Sequence, residues 1–488
     1  MTFGVSAGVT GNIVDQSFLT SGTGLLSAGI VISAKRGSTD VKLITNTTQF
    51  VNHYGYPSRD NPSMYAAMRF LSRAGFLNVV RVINDAESAS GELTDGETTP
   101  TTELAITAAN EGAWGNNLTI NIEDSDLLPT DTFYLVVLEN DAEVERFVVS
   151  RDVNAVNGFG KSVYIEDVIN GNSDYIVVTD TPNAATTYTE TTVDLTGGSD
   201  DTTAPTATMI SNGWNQFRNP EEVDARLLIN AGWADQEVAT KMDSIAMIRR
   251  DAIAILDVPQ DTNDDVTAMV EYRKDTLGID SYHSALYGGW LKVRDQNSGF
   301  LIEVPASGDV AANFVSGLEN GAIWNPVMGL DAGSIPNTLG CTKNFDEGEL
   351  DQLYQNGINP ITKIGVNNAV IWGQKTLQSF ASGLDRVNVV MNVKDMDVSI
   401  RRALLPYVGK PNTVTYRNSA GSVVERFLEN RKRQGGLYDY SVDFSDSLNT
   451  SAILDQQKFL INEFVQPVRG MEFIRNTLTV TQTGVDLS

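Results

Sequence analysis

Apolar and polar positions alternate most regularly near the end of the chain. Tyr438, Tyr440, Val442 and Phe444 alternate with Asp439, Ser441 and Asp443, which is the two-residue period of a half-buried strand. In the last thirty residues Phe459, Ile461 and Val465 again alternate with polar or opposite-face neighbours. After a turn spanning Gln466-Pro467 to Gly470, Ile474, Leu478 and Val480 share one face, and Arg475, Thr477, Thr479 and Thr481 share the other. β-Branched residues dominate this second run, as a pleated surface favours. Chain ends fray unless something ties them down. The pattern over 473–483 therefore predicts a strand that needs a partner edge, either in its own domain or lent to a neighbouring subunit by β-augmentation.

The rest of the chain divides by texture. Residues 1–23 are rich in Gly, Ser and Thr, with only Ile13, Val14, Phe18 and Leu19 to bury, and read as an extended arm. From Gly24 an apolar strand (25–33), a short extended piece (41–44), a helix opened by Thr45 to Thr48, a second helix capped by Ser63 and a strand over 77–83 predict a layered α/β unit. Residues 85–104 are acidic and turn-rich. Five short strands then follow over 104–108, 118–122, 133–138, 144–150 and 175–178. The α/β texture returns after 206, with strands at 226–230 and 252–258, helices at 235–249 and 262–277, strands at 285–293 and 300–304, and a small-residue helix capped by Ser307 or Asp309. Toward the C-terminus the pattern predicts helices at 347–355, 395–405 and 417–433, with strands at 369–372 and 387–390.

The predicted fold class is α/β multidomain. A central α/β domain (24–85 and 206–344) is interrupted by a mostly-β insertion (86–205), with the arm (1–23) before it and an α+β C-terminal domain (345–488) after it.

Charge sharpens this division. The 488-residue chain carries a net −27, and 86–205 alone hold 23 acidic against 3 basic side chains, a net of −20. Residues 370–488 hold 14 basic against 12 acidic. An acidic surface repels nucleic acid, so no direct nucleic-acid contact is expected. No apolar run approaches the roughly 20 residues of a membrane span. The N-terminus lacks the charged and apolar regions of a signal peptide. The single Cys341 excludes an internal disulfide.

Catalytic chemistry is sparse. Of the two histidines, His53 and His283, only one could serve a Ser-His-Asp arrangement, and no Gly-x-Ser-x-Gly elbow supports it. Ala155-Val-Asn-Gly-Phe-Gly-Lys-Ser162 falls short of a phosphate loop because its first required glycine is Ala155. It reads as a glycine-containing surface turn. Asp261-Thr-Asn-Asp-Asp265 begins like a calcium loop, but Val266 stands at the sixth position and Tyr272 at the twelfth. No cofactor, metal or enzymatic activity is expected.

Several blocks resemble the tail sheath proteins of contractile-tailed bacteriophages. Near the start these are Ala34-Lys-Arg-Gly37, Phe50-Val-Asn-His-Tyr-Gly-Tyr-Pro57 and Asn78-Val-Val-Arg-Val82. Glu111-Gly-Ala-Trp-Gly-Asn-Asn-Leu118 and Leu195-Thr-Gly-Gly198 are similar to the family's entry into and exit from its inserted domain. The more specific blocks are Ser284-Ala-Leu-Tyr-Gly-Gly-Trp-Leu-Lys-Val293, Asn356-Gly-Ile-Asn-Pro360, Trp372-Gly-Gln-Lys-Thr-Leu377 and Gly436-Leu-Tyr-Asp-Tyr-Ser-Val442. The arm departs from the family, lacking its Pro-Gly-Val-Tyr-like opening.

The resemblance implies a structural subunit that stacks as hexameric rings around a tail tube protein. Baseplate and tail terminator proteins would bound the array. Contraction from a metastable extended state would drive the tube through the host envelope for genome delivery. The expected location is the virion tail, assembled in the host bacterial cytoplasm. Strand exchange between subunits would use Ile13, Val14 and Phe18 in the arm, and Ile474, Leu478 and Val480 at the end. Charge then suggests that the acidic insertion faces solvent and that Arg401, Arg402, Arg431, Lys432 and Arg433 face the tube; the alternative for these five is solvated helix-end charge. Three other readings remain open: the sheath of a phage-derived injection particle, an α/β hydrolase carrying a β binding domain, and a surface adhesin using the acidic β body.

Overall fold

The computed structural model describes residues 26–59, 61–94, 102–124, 131–181, 191–319 and 322–478. These fall into two compact units, one of 26–319 with 327–385, the other of 322–326 with 386–478.

The larger unit opens with strands β1 (Ala28–Ile32) and β2 (Lys42–Ile44), helices α1 (Thr47–Tyr54) and α2 (Pro62–Leu71), and β3 (Leu77–Arg81). The acidic segment then forms β4 (Ser90–Thr94), β5 (Thr102–Ala108), β6 (Leu118–Glu123), β7 (Phe133–Glu139), β8 (Ala142–Val149), a short α3 (Ile165–Ile169), β9 (Ile176–Asp180) and β10 (Thr191–Asp194). After it come α4 (Ala207–Gly213), β11 (Leu227–Ile229), α5 (Gln236–Arg249), β12 (Ile253–Asp257) and α6 (Val266–Glu271). Next follow β13 (Ser284–Gly288), β14 (Leu291–Arg294), β15 (Leu301–Val304), α7 (Ser307–Glu319), α8 (Gly329–Ala332), β16 (Gly340–Cys341), α9 (Glu347–Gln355), β17 (Ile358–Ile364) and β18 (Asn367–Ile371).

Eight strands make one sheet in the order β18-β17-β13-β12-β11-β1-β3-β2. The inner six run parallel and each edge strand antiparallel. The inner strands are buried from end to end, as in β1, β3, β12 and β13. That explains why they read as continuous apolar runs rather than alternating ones. On one face Val31, Val80, Leu228, Ala254 and Leu256 pack with Trp214, Phe217, Val238, Met242 and Ile245. The intervening Ile30, Ile32, Ile229 and Ile255 point the other way and are also buried.

The acidic segment builds a core of its own between the sheets β10-β6-β7-β8 and β4-β5-β9, around Leu104, Ile106, Leu118, Ile120, Phe133, Leu135 and Val178. Its entry and exit lie side by side, through the bridges Glu87 to Ser199 and Ser90 to Thr196. It is seated on the parallel sheet by Arg81, which is buried and donates to the carbonyls of Ala34, Gly37 and Glu111. Gly112 follows at φ +135, and a Cβ there would lie 2.1 Å from the Lys35 carbonyl oxygen, so only glycine fits.

Four expectations need correction. Helix α2 is capped at Asn61 with Pro62 in its first turn, not at Ser63. β4, β10 and α3 add to the expected elements, because short elements in a polar, turn-rich stretch carry little periodicity. The segment 345–385 packs with the larger unit, since β17 pairs in parallel with β13. Residues 387–390 are not a strand but the start of an 18-residue helix, whose core-facing Val393, Met396, Ile400 and Leu404 recur at helical spacing. The β-branched valines at its start mislead because packing overrides their local preference.

Candidate assembly surfaces

The smaller unit contains helices α10 (Val387–Leu404) and α11 (Val414–Arg433), strand β19 (Leu437–Asp443), the short α12 (Ser451–Asp455) and strand β20 (Asn462–Pro467). Thr413 caps α11, accepting from the Tyr416 amide. Met396, Ile400, Val424, Leu428 and Leu437 form the core, and Tyr440, Val442, Ile461 and Val465 pack against it. β19 and β20 pair antiparallel, with Tyr440 opposite Val465 and Ser441 opposite Phe464. The two form a sheet of their own, so among the described residues each has one edge without a strand beside it. Phe464 and Tyr438 on this hairpin are 62% and 60% exposed.

Among the described residues β20, the first strand of the expected terminal hairpin, pairs with β19. Residues 468–478 carry no strand, although the Glu472 carboxylate holds the Arg386 guanidinium at 2.6 Å. Beyond that anchor Phe473, Ile474 and Leu478 are 78%, 80% and 86% exposed. A strand-like stretch with no neighbouring strand among the described residues leaves its apolar face in water. Val480, Ile13, Val14 and Phe18 lie outside the described residues.

The basic candidates separate into three kinds. Arg401 pairs with Asp397 at 3.0 Å, and Lys432 with Asp439 at 2.8 Å, both at the surface. The hydrogen bond and charge of Asp439 hold the Lys432 ammonium above its usual range. Arg402 and Arg433 are exposed, and Arg433 donates to Asn430. Arg431 is buried, so its place as a surface contact needs correcting. It pairs with Asp395, and its guanidinium lies 4.8 Å over the Trp324 ring and 5.5 Å over Phe427. With Arg431 buried and Arg401 and Lys432 paired to carboxylates, the five do not present one free basic patch.

Sequence reasoning missed the polar line along α10. Asn388, Asn392 and Asp395, at helical spacing, are each no more than 1% exposed. Asn388 donates to the Trp324 carbonyl and Asn392 to that of Gly436. Their spacing of four and three residues was the available signal.

At the larger unit's ligand-prone place two polar side chains are engaged by the protein itself. The strand order reverses between β1 and β11, where open α/β sheets hold ligands beyond the carboxyl ends of their strands. Here the Trp233 indole N–H donates to the Val31 carbonyl at 2.9 Å. The Asp257 carboxylate accepts from the amides of Gly232 and Ser307, pinning the start of α7. Burial pushes this carboxyl up to about 6, against the hydrogen bonds that favour its charge.

The two histidines lie on different elements. His53, in α1, accepts from the Ser38 amide at 3.1 Å. His283 precedes β13 and stacks on Tyr282, ring centroids 4.1 Å apart. The Cys341 thiol is buried, donates to the Asn368 carbonyl at 3.7 Å and is pushed up to about 12. Desolvation, then Lys42, lowers His53 to about 4. The native state thus holds a neutral imidazole, and the contribution present above pH 6.5 is lost as pH falls toward 4. We expect His53→Gln to lose less thermal stability than the parent chain between pH 7 and 4.5. The gap should be about 2 °C, allowing for the ring's solvent-facing side. Parallel melting curves for the two proteins would exclude this role.

Two family models match the chain: the phage tail sheath protein central domain over residues 203–377, and the phage tail sheath C-terminal domain over 382–481. The tail sheath protein of Enterobacteria phage T4 is 26% identical over 378 residues, 73% of this chain and 57% of that protein. The tail sheath protein of Vibrio phage KVP40 is 24% identical over 381 residues, 73% of this chain and 56% of its own length. The chain therefore spans little more than half of these two relatives. Among solved structures, the sheath tail protein of Listeria innocua superposes with a TM-score of 0.64 at 14% identity, covering 93% of this chain and 96% of that one. The contracted sheath complex of an extracellular contractile injection system superposes with a TM-score of 0.57 at 14% identity, covering 98% of each chain. These two likenesses concern the fold.

Proposed function

The chain belongs to the phage tail sheath family, and from that premise we propose that it is the load-bearing subunit of a contractile sheath, without catalytic activity. Copies stack as hexameric rings around a tail tube, bounded by baseplate and terminator proteins. The array contracts from a metastable extended state and drives the tube through the host envelope. A head-to-tail interface that does not close is the symmetry such an array requires.

The observation that carries this reading is in the smaller unit. The β19–β20 hairpin has open edges among the described residues, and it is followed by a tail whose Ile474 and Leu478 expose their apolar side chains. A monomer with such a tail and such edges is suited to lending strands to neighbours. The arm around Ile13, Val14 and Phe18 is the second lent segment in this reading. The acidic body at 86–205 faces solvent. Arg402 and Arg433, exposed and without an acidic partner among the described residues, are the better tube contacts of the five basic candidates.

The trigger frees a kinetically trapped state, so contraction needs no nucleotide. Negative-stain microscopy of the full chain, alone and with its tube protein, tests the reading. Long tubes with regular striations are expected. A chain that stays monomeric with the tube present overturns it.

The fold likeness to the sheath of an extracellular injection system favours a second reading of the same class, a particle without a genome. Capsid and terminase genes beside this one would decide against it. The hydrolase reading predicts loss of function when His53 and His283 are both replaced, whereas a sheath should assemble unchanged.

A further inference from the structure

The near-miss phosphate loop of the acidic body has a use that the sheath reading leaves open. The segment after β8 is a built projection. At its base Arg151 is buried and pairs with Glu103 at 3.0 Å and Asp180 at 2.9 Å. Above it the amide of Val163 donates to Ala155, and that of Asn157 to Lys161. At the tip the Asn157 side-chain oxygen accepts from the amides of Phe159 and Lys161, at 3.0 and 3.1 Å. Gly160 turns the chain at φ +77 with nothing within 4 Å. This bonding holds Phe159 in water: it is 98% exposed, with Val156 at 61% and Val153 at 56%. A loop fixed in its presenting shape has little ordering entropy left to lose on binding.

Charge identifies the partner. The segment 86–205 holds three basic side chains, Arg146, Arg151 and Lys161. Arg146 is engaged by Glu123 and Glu143, and Arg151 is buried at the loop base. Lys161 forms no ion pair among the described residues and stands two positions from Phe159. One free cation beside an apolar tip fits an acidic surface with some apolar relief. Salt screens the body's net charge of −20 beyond about 8 Å, so the contact is decided locally by Lys161 and the apolar tip rather than by the net charge. In a helical array the acidic surface present at the highest effective concentration is the same body on the next copy.

We propose that the Phe159–Lys161 tip of one subunit docks on the acidic 86–205 body of an adjacent copy. This rests on the sheath reading. The contact is heterologous, one surface on a different one, so it adds to a helical array without closing it. It gives the acidic body a part in lateral cohesion.

The test uses the full chain as an equal mixture of ordinary and nitrogen-15 protein, assembled with its tube and treated with a carbodiimide, which joins amines to nearby carboxylates. Mass spectrometry should find Lys161 joined to a carboxylate of 86–205 in peptides of mixed isotope. Phe159→Ser, at an exposed tip, should lower that yield about tenfold, the effect of losing one buried aromatic contact. Lys161 linking only within its own isotope, or to the tube protein, overturns the proposal, as does an unchanged yield in Phe159→Ser. Striated tubes without the mixed link would sink this contact and leave the sheath reading standing. Mixed links in a chain that never forms tubes would do the reverse.

Discussion

Arg431→Met will cost the smaller unit about 3–5 kcal/mol, the penalty of leaving a buried charge without its partner. The side chains of Arg431 and Asp395 are 4% and 2% exposed. Removing the guanidinium takes the buried Asp395 carboxylate's ion-pair partner away. It also strips a cation from the faces of Trp324 and Phe427. Gly436 follows α11 closely enough that a Cβ there would lie 2.7 Å from the Arg431 side chain, so the site cannot collapse without moving the approach to β19.

Denaturant melts, with hydrogen exchange to localise the loss to 386–478, measure the effect. The double variant Arg431→Met with Asp395→Leu should recover most of it, because it removes the buried negative charge along with its cation. A single-variant cost below about 1 kcal/mol would mean that water reaches Asp395. Arg433→Glu, at an exposed position in the last turn of α11, should cost no more than about 1 kcal/mol, mostly its interaction with the helix dipole. Arg402→Glu with Arg433→Glu is therefore the variant that probes a tube contact without disturbing the fold, and unchanged tube attachment would remove both residues from it.

Deleting 473–488 should abolish long sheaths while leaving a soluble, folded chain. The cut falls after Glu472, so its ion pair with Arg386 is kept. Phe473, Ile474 and Leu478 are mostly exposed, so their loss removes little burial within the monomer. In the assembly the same side chains would be buried along a neighbour's strand edge, and the main-chain ladder would go with them. Sedimentation velocity and negative-stain microscopy read the outcome. Long tubes of normal striation from the truncated chain would end the strand-lending proposal for this segment. Ile474→Asp with Leu478→Asp should weaken assembly in the same direction while keeping the backbone.

Much of the architecture was legible because burial imposes period and composition together. The inner strands of the parallel sheet read as apolar runs, the body at 86–205 as short strands between turns, and β19 as clean alternation. The helix at 347–355 was found to the residue, where Asp346 and Glu349 form a capping box. At the candidate surfaces less was legible. Arg431 lies in a run of three basic residues at a helix end, a pattern that signals solvent, yet its neighbours Lys432 and Arg433 are exposed and it is not. Only the rotation of α11 against α10 distinguishes them. The strand pattern over 473–483 was visible, but pattern alone names no partner edge, and among the described residues 468–478 join no sheet.

The kind of layers, the acidic segment and the family could be read from the chain alone, because each depends on residue types at local spacing. The tertiary structure decided that 345–385 completes the parallel sheet, that 387–404 is one helix, and that Asp395 and Arg431 meet inside it and α11. Those outcomes depend on contacts between residues far apart in the chain. Local propensity is worth tenths of a kcal/mol per residue, and burying a core face or an ion pair is worth several, so packing overrides it.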